Sequence, residues 1–187
     1  MLIFPLLACG ESLPTTPPPS RFDAVLADPS KVTSPEAFCD AHSKEDVAKA
    51  FPMPILDGTA WTPPTGWRWV NVWATWCGPC IEEMPRLLKW QQRLGKEGKP
   101  VELVLLSVDS GRPEVERFYD KHPDWPPSVR LQSAAELPTW LEQLGLPGST
   151  AIPLHLFVDP AGKVRCVRAG AIGEQDYETV KRIVSGA

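Results

Sequence analysis

Two cysteines three residues apart, in the run Trp76-Cys77-Gly78-Pro79-Cys80, carry the clearest chemical signal in this chain. The run follows Trp67-Arg68-Trp69-Val70-Asn71-Val72-Trp73, whose aromatic and β-branched content predicts a strand. It precedes a segment in which Cys80, Met84, Leu87, Leu88 and Leu94 keep the three-to-four spacing of one helix face. Cys77 therefore falls at a strand-to-helix turn. Unpaired backbone N–H groups and the macrodipole of a helix N-terminus favour negative charge, so the Cys77 thiol should ionise more readily than free cysteine, which titrates near about 8.5. Cys80 returns to the same side of the first turn, within disulfide reach, and Pro79 costs little where its missing N–H would be unpaired anyway. The expected chemistry is thiol–disulfide exchange, with Cys77 attacking and Cys80 resolving the mixed disulfide. The thiol pair itself carries the electrons, so no cofactor is expected.

A Cys-X-X-Cys pair can also be half of a zinc site, but such sites need four ligands, usually as two paired motifs. The other candidates, Cys39, Cys166, His42, His122 and His155, show no second pairing, and no metal is expected. His155 interrupts the apolar pattern of its strand and reads as a solvent-facing strand residue. No Gly-rich loop is present to cradle a phosphate.

The elements that must position the cysteines are legible around them. Val101 to Val108 is nearly continuous and apolar, as central parallel strands are, and Gly95 to Pro100 supplies the stop for the preceding helix. Arg112 to Lys121 and Ala134 to Leu144 predict two further helices, the second capped by Gly145. Leu154 to Val158 and Lys163 to Arg168 predict a hairpin around Asp159-Pro160-Ala161-Gly162, and Glu174 to Val184 a closing helix. Upstream, Ser34 as N-cap and Pro35 at the first helical position predict a helix that ends before Pro52. Half of the 22 prolines fall in the first 64 residues, which predicts a peripheral wrap there rather than a second domain. The result is an α/β fold with mixed strand directions.

Composition sets the outer bounds. At 187 residues, 43% hydrophobic and 22% charged, the chain can bury one full core. A formal net charge of -4 with no dense Lys/Arg block argues against nucleic acid as a partner. No apolar run approaches the roughly 18 residues of a transmembrane helix.

From about Phe51 to Ser185 the sequence resembles the thioredoxin-fold family, through Trp76-Cys77-Gly78-Pro79-Cys80 after a Trp-containing strand. The run from Asn71 through Cys77-Gly78-Pro79-Cys80-Ile81-Glu82-Glu83-Met84-Pro85 is similar to the TlpA/ResA-like branch. That resemblance implies a mixed central β-sheet flanked by helices, preceded here by a helical and extended extension. It also implies an extracytoplasmic thiol–disulfide oxidoreductase, often membrane-anchored, and often a reductant in cytochrome maturation or copper-site assembly. Asn71 stands where cytoplasmic thioredoxin has a buried Asp. Glu83 matches the branch's Glu three residues after the second cysteine, and one helical turn from Cys80 it is expected to take the Cys80 proton. Ile152-Pro153-Leu154-His155-Leu156-Phe157-Val158-Asp159 resembles the family's cis-proline segment. Pro153 would be cis, and the Ile152 backbone would pair with an extended client beside Cys77. Trp76, Gly78, Pro79 and the segment Gly148-Ser149-Thr150-Ala151 are expected to border that docking edge. The Cys-X3-Cys pattern of copper-delivering relatives is absent.

At the start, Leu6-Leu7-Ala8-Cys9 resembles the lipobox of bacterial lipoproteins. The resemblance implies removal of residues 1–8 and a lipid on Cys9; a Pro-rich linker over 9–20, an extension over 21–50 and the thioredoxin-like domain over 51–187 are expected to follow. The expected location is then the periplasmic side of a bacterial membrane, reached through the lipid anchor, with disulfide-containing proteins as clients and a membrane thiol or electron donor to recharge the pair. With Cys9 so assigned and Cys77 paired to Cys80, Cys39 and Cys166 remain. They are either a structural bridge or two separate buried thiols. Two other readings compete with exchange: a peroxide-reducing enzyme on the same fold, and a non-catalytic module that holds clients or metal at the cis-proline edge.

Overall fold

The computed structural model describes residues 33–44, 46–58 and 62–186. The lipobox, Cys9 and the Pro-rich linker lie outside them. In chain order the elements are α1 (Pro35–Phe38), β1 (Ala41–His42), β2 (Trp67–Trp73), α2 (Gly78–Lys96), β3 (Val101–Ser107), α3 (Arg112–Tyr119), β4 (Ser128–Arg130), α4 (Leu137–Gln143), β5 (Leu154–Val158), β6 (Val164–Ala169) and α5 (Tyr177–Ile183). Short 3₁₀ turns at Ala134–Glu136 and Glu174–Asp176 open α4 and α5.

The strands form one sheet in the order β1-β6-β5-β2-β3-β4. β2, β3 and β4 run parallel to one another, while β5 runs antiparallel to β2, β6 to β5 and β1 to β6. The mixed sheet flanked by helices is the expected fold class. β2 sits between β3 and β5 and is covered on both faces, which is why six of its seven residues are buried.

On one face Trp69 packs against Trp90 of α2 and Phe157 of β5, and Trp90 meets Tyr177 of α5 edge-on. Each such aromatic withdraws about 150–250 Å² from water, which makes this seam the main anchor of α2 on the sheet. On the other face Phe51, Pro54 and Leu56 gather with Val70, Val104, Leu106 and Val129. Trp140 of α4 packs edge-on to Phe51 and donates its indole N–H to the Pro52 carbonyl at 2.7 Å. The segment around Leu56 also covers the outer strand: the Asp57 N–H donates to the Arg130 carbonyl and the Gln132 N–H to the Ile55 carbonyl, each at 2.9 Å. An edge that would otherwise present unpaired backbone is thereby closed.

The N-terminal helix differs from expectation. Ser34 caps it and Pro35 opens it, but it stops at Phe38 instead of continuing toward Pro52. The chain then turns into β1, with Ala41 opposite Val167 and His42 opposite Cys166, and Cys39 is disulfide-bonded to Cys166. Pairing with β6 and the covalent tie recruit residues whose local pattern is helical. The compact unit consequently takes in α1 and β1, upstream of Phe51. Strand β4 has no counterpart among the expected elements. Its three residues are too short a run to signal a strand locally, and pairing with the edge of β3 makes them one.

Candidate active site

Helix α2 opens on the redox pair. Cys77 is its N-cap, in extended conformation, and its sulfur accepts the Cys80 N–H at 3.3 Å. A sulfur in that place receives one of the helix's unpaired donors, and the first turn contains no acidic residue to oppose a thiolate. Cys77 and Cys80 are joined, with an S–S distance of 2.00 Å and Cα atoms 5.3 Å apart. Cys80 is fully buried and Cys77 is 5% exposed, whereas Trp76 beside it is 69% exposed and Gly78 and Pro79 lie at the surface. Of the two cysteines, Cys77 is the one that keeps surface open to solvent.

The turn leading into Cys77 is held by a residue that the sequence reading passed over. The buried Asp109 carboxylate accepts the Thr75 N–H at 3.0 and 3.2 Å, the Thr75 hydroxyl at 2.7 Å and the Ser107 hydroxyl at 2.7 Å. The Val108 N–H donates to the Trp73 carbonyl at 2.9 Å, so the end of β3 carries the turn that follows β2. Only the parallel pairing of β2 with β3 brings Asp109 to Thr75.

Glu83 lies on the buried face of α2 with Cys80, Met84 and Leu87 and is 1% exposed. Its Oε1 accepts from Asn71 Nδ2 at 3.2 Å and its Oε2 from the Ile172 N–H at 3.0 Å. Asn71 reaches it from β2, because Trp69, Asn71 and Trp73 alternate onto the face that α2 covers.

His155 is not solvent-facing. It is fully buried, and it sits opposite Asn71 in the β2–β5 register. Trp69 Nε1–H donates to its Nδ1 at 3.2 Å, and its Nε2 lies 3.3 Å from Glu83 Oε1. The alternation argument fails because β5 is a central strand with all five residues buried, so a polar residue in it must point into one of two interiors. The usable signal was a lone polar residue inside a wholly apolar strand.

The Ile152–Pro153 peptide bond is cis. Because Leu154 pairs with Val72, Pro153 stands at the end of the sheet where β2 runs into Cys77. Ile152 is half-buried, and Gly148 to Ala151 form the loop between α4 and β5. Cys39 and Cys166, at the far edge of the sheet, are bonded to each other with Cα atoms 5.5 Å apart. Among the described residues no cluster of three or more His, Cys, Asp or Glu could hold a metal ion.

Comparison with known proteins places this geometry. Residues 67–181 match the Redoxin family model. The chain is 27% identical over 110 residues to the thiol-disulfide oxidoreductase ResA of Geobacillus thermodenitrificans, covering 58% of this chain and 58% of that protein. It is 30% identical over 103 residues to ResA of Oceanobacillus iheyensis, covering 55% of this chain and 49% of that one. It thus spans between about half and three-fifths of these relatives' lengths. In fold it is similar to the thioredoxin domain of a thiol-disulfide oxidoreductase from Bacteroides vulgatus, with a TM-score of 0.57 at 21% identity, covering 73% of this chain and 96% of that domain. A redox pair at the head of a helix that packs on a thioredoxin sheet, within a matched stretch of more than half the sequence, means that the chain belongs to the Redoxin family, in its TlpA/ResA-like branch.

Proposed function

We propose that the protein is a thiol–disulfide oxidoreductase that reduces disulfides of client proteins outside the cytoplasm. The observation that carries the reading is Cys77 as N-cap of α2, its sulfur taking the Cys80 N–H, with a buried partner cysteine one turn away. In the reduced state the same donor and the helix terminus stabilise a Cys77 thiolate, which attacks the client disulfide; Cys80 then displaces the client. Glu83, buried on the Cys80 face, receives the resolving proton. Trp76, Gly78, Pro79 and the Ile152–Pro153 segment form the docking edge.

The extracytoplasmic placement is supported by Cys39–Cys166, a bond remote from the redox pair of a kind that persists in oxidising compartments. Lipid attachment at Cys9 follows from the lipobox resemblance, and recharging by a membrane donor from the likeness to the TlpA/ResA-like branch. The reducing direction rests on likeness to the ResA relatives. Among the described residues no helix is long and apolar enough to cross a membrane.

The test is a Cys80→Ser variant in the native envelope. It should accumulate mixed disulfides between Cys77 and its clients, while Cys77→Ser accumulates none. A redox potential of the purified pair near that of thioredoxin, about -270 mV, supports reduction; one near about -120 mV would reverse the direction.

A further inference from the structure

We propose that His155 is a positioning residue for Glu83 in the proton transfer that accompanies Cys80 chemistry, an inference that rests on the exchange reading above. Two donors converge on His155 Nδ1: Trp69 Nε1–H at 3.2 Å and Asn71 Nδ2 at 3.4 Å. Neither the indole N–H nor the amide NH₂ can accept a hydrogen bond, so Nδ1 carries the ring's lone pair and the proton sits on Nε2. Nε2 lies 3.3 Å from Glu83 Oε1 without forming a hydrogen bond to it, and among the described residues it has no hydrogen-bond partner. A second proton on the ring would have to displace Trp69. The imidazole therefore sets its one N–H beside the carboxylate, close enough to bond it after a small shift of either group, and Glu83 is the group that accepts the proton.

Asn71 supplies the complement. Its Nδ2 donates to Glu83 Oε1, while its Oδ1 is buried with no partner. Once Glu83 is protonated its O–H needs an acceptor, and turning the Asn71 amide over presents that unpaired oxygen. Glu83 thereby keeps an Asn71 partner in both of its states.

In the step served, the Cys80 thiol gives its proton to Glu83, and the Cys80 thiolate attacks the Cys77 sulfur. The bond between Cys77 and the client sulfur breaks, and the client leaves as a thiolate that is protonated from Glu83 or solvent. Over the full exchange two thiols become one disulfide, and the client disulfide takes up two electrons and two protons. The titratable and charged groups around Glu83 are few. On α2 they are Cys80 and Arg86, the latter engaged with Glu174 and the Ile172 carbonyl. β5 contributes His155. Arg168 of β6 is the cross-strand neighbour of His155 and donates to the Phe38 carbonyl. β2 offers Asn71, which does not titrate.

Reaction of the reduced chain with 5,5′-dithiobis(2-nitrobenzoate) separates the steps, since Cys77 attack releases the first thionitrobenzoate and Cys80 resolution the second. We expect His155→Phe to slow the second release by about tenfold near neutrality and to move its pH profile, with the first release close to wild type. His155→Gln, which restores an N–H donor, should recover most of the rate. The double variant Glu83→Gln/His155→Phe should be no slower than Glu83→Gln alone. A second phase unchanged in His155→Phe, or a double variant showing the product of the two single losses, overturns the proposal. Should His155→Phe not fold, nitrogen NMR of the wild-type ring decides with His155→Gln: an Nδ1–H tautomer, or a tenfold loss in the Gln variant, overturns it. If wild type releases no thionitrobenzoate at all, the exchange reading fails instead.

Discussion

Glu83 Oε2 accepts the main-chain N–H of Ile172 at 3.0 Å, so a carboxylate on the redox helix is held by the loop that follows β6. Arg86, three residues further along α2, donates to the carbonyl of the same Ile172. The loop residue is gripped on both sides by one helix, and the helix is fixed in rotation against the sheet. Removing the carboxylate should therefore cost stability as well as chemistry. Glu83→Ala leaves the Ile172 N–H buried without an acceptor, at about 1–3 kcal/mol, and Asn71 Nδ2 with His155 Nδ1 as its remaining acceptor. Denaturant unfolding of the oxidised protein should show a loss of about 1–4 kcal/mol, with Glu83→Gln milder because it keeps one acceptor oxygen. A loss under about 0.5 kcal/mol would show that the contacts do not hold α2.

The Cys77 thiol of the reduced protein should titrate below the value of free cysteine, about 8.5, because the N-terminus of α2 offers its donors to the thiolate. Thiolate absorbance at 240 nm in Cys80→Ser protein reads this directly. The sign is fixed by the geometry: reactivity toward an alkylating agent should level off with rising pH earlier than for an ordinary thiol. A midpoint at or above that of free cysteine would remove the basis for Cys77 as nucleophile.

Cys39 and Cys166 are 127 positions apart, so their bond closes most of the described chain into a loop. In the chain-entropy model such a crosslink stabilises by about 4–5 kcal/mol, less any strain. The double substitution to Ala should lower stability by up to that amount while leaving disulfide exchange at Cys77 and Cys80 intact, since the bond ties β6, two strands away from β2, to the segment before β1. Loss of exchange in a folded double variant would mean that this bond also takes part in the chemistry.

Asp109 tests whether the turn before Cys77 needs its anchor. Its carboxylate accepts donors from Thr75 and Ser107, and charge-assisted bonds contribute about 1.5–3 kcal/mol each. Asp109→Ala should lower the unfolding midpoint and slow the first attack by Cys77, with Asp109→Asn intermediate. Equal attack rates in all three proteins would show that the turn holds its shape unaided.

At the far end of α2, Glu97 joins the helix to α5, accepting from Lys181 at 2.6 Å and from Arg93 at 2.8 Å. These bonds, the Lys181 one foremost, hold its carboxyl down at about 2 against an ordinary 4.5. A depressed folded value means that the contribution is complete above about 4.5 and is lost as the pH falls toward about 2. Stability measured between those limits should fall less steeply in Glu97→Gln than in wild type. Identical slopes would place the effect in the unfolded chain or in solvent screening.

How much of this was legible beforehand follows the range of the interactions. Strand β2, helix α2 and the redox pair at their junction are local matters: aromatic and β-branched content makes a strand, three-to-four spacing makes a helix face, and the cysteines fall where one becomes the other. Glu83 was singled out by the resemblance to the TlpA/ResA-like branch, one turn from Cys80, although its hydrogen-bond partners were not legible. The N-terminal helix shows the limit from the other side. Its cap was correct at Ser34 and Pro35, but its end was decided at Phe38 by β6 and Cys166, more than a hundred residues away.

His155 marks the boundary most clearly. One strand's residue types say that a histidine breaks an apolar run; they do not say whether that strand lies at an edge or at the centre of the sheet. Sheet order puts β5 beside β2, register sets His155 opposite Asn71, and helix packing lowers Glu83 onto both. Nucleophile and helix are written in neighbouring residues. The buried cluster of Trp69, Asn71, Glu83 and His155 beneath them joins side chains 12 to 86 positions apart, and it exists only because packing closes those distances while excluding the water that would otherwise satisfy each group alone.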